Sequence, residues 1–494
     1  MSCSRGKLKD EPVLSKKMTT QPNILFVLTD QQRADTIGTD PQALSAAGEP
    51  VPHTPNLDNL AAEGALFTRN YSPSPSSIPA RRSLLTGQTP ATNGCPGWTT
   101  EPWNFDRTLS GELTAAGYQT HLVGKIHSIP NRNHCGFEHL VQHEGLHTFP
   151  ADDYAQWLAD RVDARGAELA SGLDRNSWDS RPWHYPEEYH PTRWTTERAL
   201  EFLEKRDPTR PFFLNLSYVR PHTPFDPPAA YFEQYIDQDL PTPPIGDWSD
   251  EWFGEYLAAR PAPDAWIADL PDRVVHRARA AYLGLITQID HQLKRVFGRL
   301  QVNGEWKNTL TVFASDHGEM LGDHRLWRKS YPFEGSARVP LIIHPPASMD
   351  VERGGVRHQP VGLHDLMPTM LDVADVDIPG TVEGRSLVEL LNGEADDWRE
   401  FYHGEHAPIY APENGTQFLV GETMKYVWNT VTGDELFFDL ASDPDETVNR
   451  SDDPAYADRL ASMRAALVDR LADREEEFVR DGDLHATSRP VTEV

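Results

Sequence analysis

Six short segments of this 494-residue chain hold side chains able to bind an anion, a metal ion or a proton in transit. The foremost is Ser77-Ile78-Pro79-Ala80-Arg81-Arg82-Ser83-Leu84-Leu85-Thr86-Gly87. A hydroxyl leads. Pro79 stiffens the backbone and biases Ile78 towards extended geometry. Arg81 stands at the fourth position after Ser77, and the run from Arg81 to Gly87 reads as a short helix closed by a glycine. Ser77 is therefore expected just ahead of a helix N-terminus, where unpaired N–H groups and the helix dipole favour an anion. A hydroxyl, a fixed guanidinium and such a helix end are the parts needed to attack a sulfate or phosphate ester.

The other five segments supply acids, bases and cations. Asp30 closes the apolar run Ile24-Leu25-Phe26-Val27-Leu28-Thr29 and precedes Gln31, Gln32 and Arg33. Gly124-Lys125-Ile126-His127 ends another run, and residues two apart on a strand end face the same side. In Arg220-Pro221-His222-Thr223-Pro224 a proline on either side fixes the backbone of the histidine, which suits positioning. Asp316 and His317 close Thr309-Leu310-Thr311-Val312-Phe313-Ala314-Ser315. Trp327-Arg328-Lys329 places a further cation beyond them.

Ser-x-Pro-x-Arg followed by Leu-Leu-Thr-Gly resembles the signature of the type I sulfatases of the alkaline phosphatase superfamily. Asp30, Ser77 with Arg81, Lys125 with His127, His222, Asp316 with His317, and Lys329 stand in that family's order. The resemblance runs over roughly residues 22–450. It implies that Ser77 is oxidised by a maturation enzyme to formylglycine, whose hydrate is the nucleophile. It also implies metal ligation by Asp30, Gln31, Asp316, His317 and the residue-77 oxygen; oxygen dominance in such a set favours calcium, and His317 leaves manganese open. Lys125 and Lys329 would hold sulfate oxygens, His127 would hydrogen-bond the second hydroxyl, and His222 would protonate the leaving alcohol. Many members carry two consecutive acids where this chain has Asp30-Gln31; glutamine there is shared with phosphonate monoester hydrolases and many bacterial sulfatases and removes one negative charge. The implied substrate is a sulfated carbohydrate or aryl alcohol.

Ser77 leaves alternatives open. A plain serine would form an alkyl sulfate with no second hydroxyl to expel it, whereas a phosphoserine is hydrolysed in related phosphatases. Unmodified Ser77 would favour a phosphodiester or phosphonate monoester hydrolase. A catalytically dead homologue that keeps the anion pocket is a third reading.

Elements must bring these segments together. The continuous apolar run at 24–30, ending in an acid, reads as a strand buried on both faces of a parallel sheet with its functional residue at the carboxyl end; 118–124, 211–219 and 309–315 read as further strands, each leading into a functional segment. Residues 54–64, 195–205 and 272–300 read as helices. The expected fold is α/β: an alkaline-phosphatase-like large mixed sheet, mainly parallel and flanked by helices, with a smaller C-terminal α+β subdomain. Residues 21–393 form the catalytic domain and 394–479 the subdomain, whose strands lie within 417–430 and 435–440 around a Thr432-Gly433-Asp434 turn and whose last helix covers 454–473. Residues 1–20 and 480–494 are expected to be disordered tails. Between 140 and 195 lies an irregular stretch rich in Trp, Tyr and His, read either as a pocket wall or as a loop packed by its own aromatics.

Composition narrows the partners. With 75 acidic against 46 basic residues, the formal charge of −29 argues against nucleic acid or an anionic membrane surface. Three cysteines are too few and too scattered for a disulfide framework or a thiolate zinc site. The N-terminal residues are charged without an apolar core, and no run is long enough to span a bilayer, so a cytoplasmic protein is expected, starting at Met1 or Met18.

Overall fold

The computed structural model describes residues 21–487 apart from 47, 146–151, 164–166 and 395. The tail expected over 1–20 and part of that over 480–494 fall outside the described residues. Eight strands form the main sheet: β1 (Asn23–Asp30), β2 (Ala65–Phe67), β3 (Gln119–Gly124), β4 (His139–Gln142), β5 (Phe212–Pro221), β6 (Thr309–Ser315), β7 (Leu341–His344) and β8 (Gly355–Arg357). Their order across the sheet is β8-β2-β7-β6-β1-β5-β3-β4. β1 pairs in parallel with both β5 and β6, and β3 in parallel with β4 and β5; β7 alone runs against its neighbours. The fold class expected from the sequence is thus observed.

Burial on both faces explains the unbroken apolar runs. Ile24, Phe26 and Leu28 of β1 face one core, and Leu25 and Val27 face the other. The helices are α1 (Pro55–Glu63), α2 (Ser77–Thr86), α3 (Asp153–Val162), α4 (Pro191–Lys205), α5 (Asp272–Val302), α6 (Leu366–Val373) and α7 (Ala457–Leu471). The first core packs against Ala80, Leu84 and Leu85 of α2 and Leu366, Met367 and Met370 of α6. The second packs against Leu57 and Leu60 of α1, Leu200 and Leu203 of α4, and Leu293 and Val296 of α5. Each such side chain, fully buried, contributes roughly 1.5–3 kcal/mol.

Because β1, β3, β5 and β6 are parallel, their carboxyl ends lie along one edge of the sheet. The register of β1 against β5 slips there, from Thr29 opposite Tyr218 to Asp30 opposite Pro221. A slip of this kind re-aims side chains and parts the strands, at the point where Asp30 leaves the sheet.

The C-terminal part is an antiparallel sheet of β9 (Tyr402–His406), β10 (Thr416–Val420), β11 (Met424–Asn429) and β12 (Glu435–Asp439), covered by α7. The single strand region expected at 417–430 is therefore two strands with a turn between. The tail expected from Arg480 is corrected as far as Thr487. Val479–Arg480 pairs with Asp483–Leu484, and the Thr487 N–H donates to the Thr430 carbonyl at 2.8 Å. β9 also joins the catalytic part, since the Glu405 N–H donates to the Pro73 carbonyl at 2.9 Å. The aromatic stretch packs on itself: Tyr154, Trp183 and Trp194 are buried together, with Trp157 partly buried against them.

Candidate active site

α2 begins one turn earlier than its sequence suggests. Ser77 is its first residue, Ser76 the cap, and Gly87 closes it in a left-handed conformation at φ 66°. Pro79 falls in the first turn, where a missing N–H costs nothing. The consequence is spatial: Ser77 and Arg81, four apart on one helix, share a face. Both are almost fully buried, at 3% and 2% exposure.

Arg81 is immobilised on three sides. Nε donates to Asp316 Oδ2 at 2.8 Å, and Nη1 donates to the Lys125 carbonyl at 2.7 Å and to Ser217 Oγ at 3.0 Å. Nη2 lies 3.7 Å from Asp30 Oδ2 and makes no hydrogen bond. The guanidinium is thus held with one donor edge unspent.

Ser77 Oγ lies 3.0 Å from His317 Nε2 and 3.3 Å from Asp30 Oδ1. His317 Nε2 is 3.3 Å from Asp30 Oδ1 and 3.6 Å from Asp316 Oδ1. Nδ1 of the same ring donates to the Gly318 carbonyl at 2.9 Å, so the proton sits there and Nε2 keeps its lone pair for the cluster. Among the described residues, Asp30, Asp316 and His317 form a group of buried donors able to converge on one ion. Neighbouring ligands in an octahedral shell with bonds of about 2.4 Å are separated by about 3.4 Å, so the donors present fit a divalent ion.

Charge balances inside this cluster. Lys125 Nζ donates to Asp30 Oδ2. Burial opposes ionisation of Asp30, but the Lys125 ammonium and the Arg81 guanidinium outweigh it and hold the carboxyl well below its usual range.

Gln31 has a left-handed backbone, φ 73°. Its N–H donates to Asp316 Oδ1 at 3.2 Å, Nε2 donates to Glu319, and Oε1 accepts from Lys329 Nζ at 3.0 Å. Lys329 Nζ also meets His222 Nε2 at 2.7 Å, while His222 Nδ1 donates to the Thr223 carbonyl at 2.8 Å. Burial and the ammonium of Lys329 press the His222 pKa well below that of a free imidazole. Burial also lowers Lys329 to about 8. The lysine is therefore the proton-bearing member of the pair, and His222 its acceptor.

His127 lies two residues past Lys125, half-buried, with a left-handed backbone at φ 60°. The structure thus gathers Asp30, Gln31, Ser77, Arg81, Lys125, Asp316 and His317 into one hydrogen-bonded centre. His222 and Lys329 adjoin it through Gln31, and His127 is reached through Lys125. Sequence reasoning missed Glu319, Ser217 and Glu144. Glu319 follows Asp316-His317-Gly318 and accepts from Gln31 and from the Leu321 N–H at 3.0 Å. Its place just after a ligand pair was the available signal; Ser217 and Glu144 sit in unremarkable sequence.

A helix-flanked, mainly parallel sheet that presents this centre at its carboxyl edge defines a hydrolase of the alkaline phosphatase superfamily. Comparison with known proteins narrows the class. The sulfatase family matches residues 22–376, and the N-sulphoglucosamine sulphohydrolase C-terminal family matches residues 322–473. An arylsulfatase of Clostridium perfringens is 38% identical over 487 residues, covering 96% of this chain and 98% of its own. A multifunctional alkaline phosphatase superfamily protein, PehA, of Trinickia caryophylli is 33% identical over 487 residues, with 89% and 93% covered. Among solved structures, the phosphonate monoester hydrolase of Agrobacterium radiobacter superposes with a TM-score of 0.76 at 25% identity, over 92% of this chain and 97% of its own. The chain belongs to the sulfatase family, enzymes that hydrolyse sulfate esters.

Proposed function

We propose that this enzyme cleaves the sulfate ester of a carbohydrate or aryl alcohol, with residue 77 matured from serine to formylglycine and one divalent ion bound. The observation that carries the reading is the approach of Ser77 Oγ to both Asp30 and His317 within a buried, charge-balanced cluster. Asp30, Asp316 and His317 would hold the ion with the residue-77 oxygen and the amide of Gln31; calcium is the first choice and manganese the second. The ion would supply positive charge for the ester oxygens and acidify the nucleophile. Hydrated formylglycine would supply one hydroxyl to attack sulfur and a second whose deprotonation expels sulfate and restores the aldehyde.

The chain's own groups do the rest. Arg81 offers Nη2 to a sulfate oxygen, with its other nitrogens already committed, so little reorganisation accompanies binding. Lys125 adds a second fixed cation. The leaving oxygen takes its proton from the Lys329–His222 pair, which shares a 2.7 Å hydrogen bond. His127 accepts the proton of the second hydroxyl.

Direct attack by unmodified Ser77 on a phosphodiester or phosphonate is the second reading, supported by the serine at this position and by the fold shared with phosphonate monoester hydrolase. Mass spectrometry of the tryptic peptide Asn70–Arg81 from active enzyme separates the two. A loss of two hydrogens at residue 77, trapped by an aldehyde reagent, is expected. An intact serine in an enzyme turning over at full rate overturns the formylglycine reading.

A further inference from the structure

His127 occupies a conformation that its neighbours must enforce. The left-handed region is uncommon for any residue with a Cβ. The chain enters it from Gly124, at φ 106°, where a Cβ would lie 1.8 Å from the Ser217 carbonyl oxygen. What holds the turn is a carboxylate. Glu144 Oε1 accepts from the Ile126 N–H at 3.0 Å and Oε2 from the His127 N–H at 2.9 Å.

The opposite side of the same peptide is also gripped. The Lys125 carbonyl accepts from Arg81 Nη1 at 2.7 Å. The Lys125–Ile126 peptide unit is therefore clamped at its oxygen by Arg81 and at its N–H by Glu144. Behind Glu144 the chain is secured in turn. The Glu144 N–H donates to Asp152 Oδ2 at 2.7 Å, Asp152 Oδ1 caps α3 by accepting from the Ala155 N–H at 2.9 Å, and Gln142 Nε2 donates to Glu144 Oε1 at 3.2 Å. Glu144 is 3% exposed, and among the described residues no lysine or arginine forms an ion pair with it. Burial raises its pKa, against the two backbone N–H groups and the nearby charges of Lys125 and Arg81.

We propose that Glu144 is the positioning residue for His127, fixing the backbone that aims the imidazole at the reacting group while Arg81 fixes the same peptide from the substrate side. The inference rests on the role given to His127 above. A residue acting this way governs the step its partner serves. Loosening Glu144 should slow sulfate expulsion, leave substrate binding alone, and leave the fold standing.

The test compares E144Q, E144A and H127A with wild type, as full chains with residue 77 verified by mass spectrometry. Three quantities are read: kcat and KM for a chromogenic aryl sulfate, the burst of phenol in the first turnover, and amide hydrogen exchange over residues 124–129. E144Q keeps the shape of the side chain but opposes one backbone N–H with an amide NH2; E144A removes both acceptors. Both are expected to lose about 10- to 100-fold in kcat with KM falling alongside it, so that kcat/KM stays within about threefold of wild type. Both should show a phenol burst like that of H127A and exchange faster at 126–127 only, with Tm little changed. If E144Q does not fold, D152N loosens Glu144 from behind and is expected to show the same burst in weaker form. A loss of activity that tracks Tm, with no burst, overturns the inference, as does wild-type kcat in E144Q when H127A is impaired. Should H127A itself turn over like wild type, the role of His127 fails, and Glu144's with it.

Discussion

At the scale of single residues, the site separates groups that hold from groups that transfer. Arg81 and Asp316 are joined at 2.8 Å and hold. Lys329 Nζ and His222 Nε2 lie 2.7 Å apart and, in the proposed mechanism, transfer. If that pair serves the leaving oxygen, K329M should cost about 10²- to 10⁴-fold in kcat/KM, and the loss should grow with the basicity of the alcohol. A series of substituted phenyl sulfates measures this; an equal loss across the series would remove Lys329 from proton transfer. Much of this scale was legible in the sequence, because each reactive residue follows an apolar run or sits between prolines, and its address can be read without the fold. What the sequence hid was conformation and pairing. Neither the left-handed backbones of Gln31 and His127 nor the contact between Lys329 and His222, 107 residues apart, has any local signature.

At the scale of elements, the strands were legible and so were the starts of α1 and α5, whereas α2 and α4 begin about a turn earlier than their sequences suggest. β1, β5 and β6 are buried on both faces, and burial writes itself into composition. α2 was placed late because its first turn, Ser77 to Ala80, contains a proline, which reads as loop unless its position in the helix is known. Helices are also tied to one another by side chains far apart in sequence. Asp290 of α5 accepts from the backbone N–H groups of Asn56 at 3.0 Å and Leu57 at 2.8 Å, satisfying the open end of α1. Burial nevertheless raises its pKa to about 6. The unfolded carboxyl, near 3.9, releases its proton first, so this group's stabilisation is complete below about pH 4 and is lost as pH rises through about 6. Relative to D290N, which does not titrate, wild type should lose about 1 kcal/mol between pH 5 and 7. Parallel melting curves of the two proteins check it, and a constant difference in Tm would contradict it.

At the scale of the whole molecule, the three donors tie distant parts of the chain together. Asp30 ends β1, Asp316 and His317 follow β6, and Ser77 opens α2. An ion bound there has no counterpart in the unfolded chain, so it should stabilise the fold by about 2.7 kcal/mol at a hundredfold excess over its dissociation constant. A chelator is expected to lower Tm, and calcium to restore it in proportion to the logarithm of its concentration, with manganese as the comparison. A Tm indifferent to chelator and to both ions would remove the metal from the proposal. Among the described residues no helix is long and apolar enough to cross a membrane.

The burial of Ser77 sets a clock. Its hydroxyl contacts Asp30 at the end of β1 and His317 just past β6, and the segment leading into it is fastened by the Glu405 N–H at Pro73. That fastening strand is made more than three hundred residues after Ser77 leaves the ribosome. If Ser77 is matured to formylglycine as proposed, the oxidising enzyme would have to reach its Cβ during that interval, before the late strand docks. Maturation then becomes a race between modification and folding. Slowing translation of the last hundred residues should raise the modified fraction, and refolding the purified serine form should never create it.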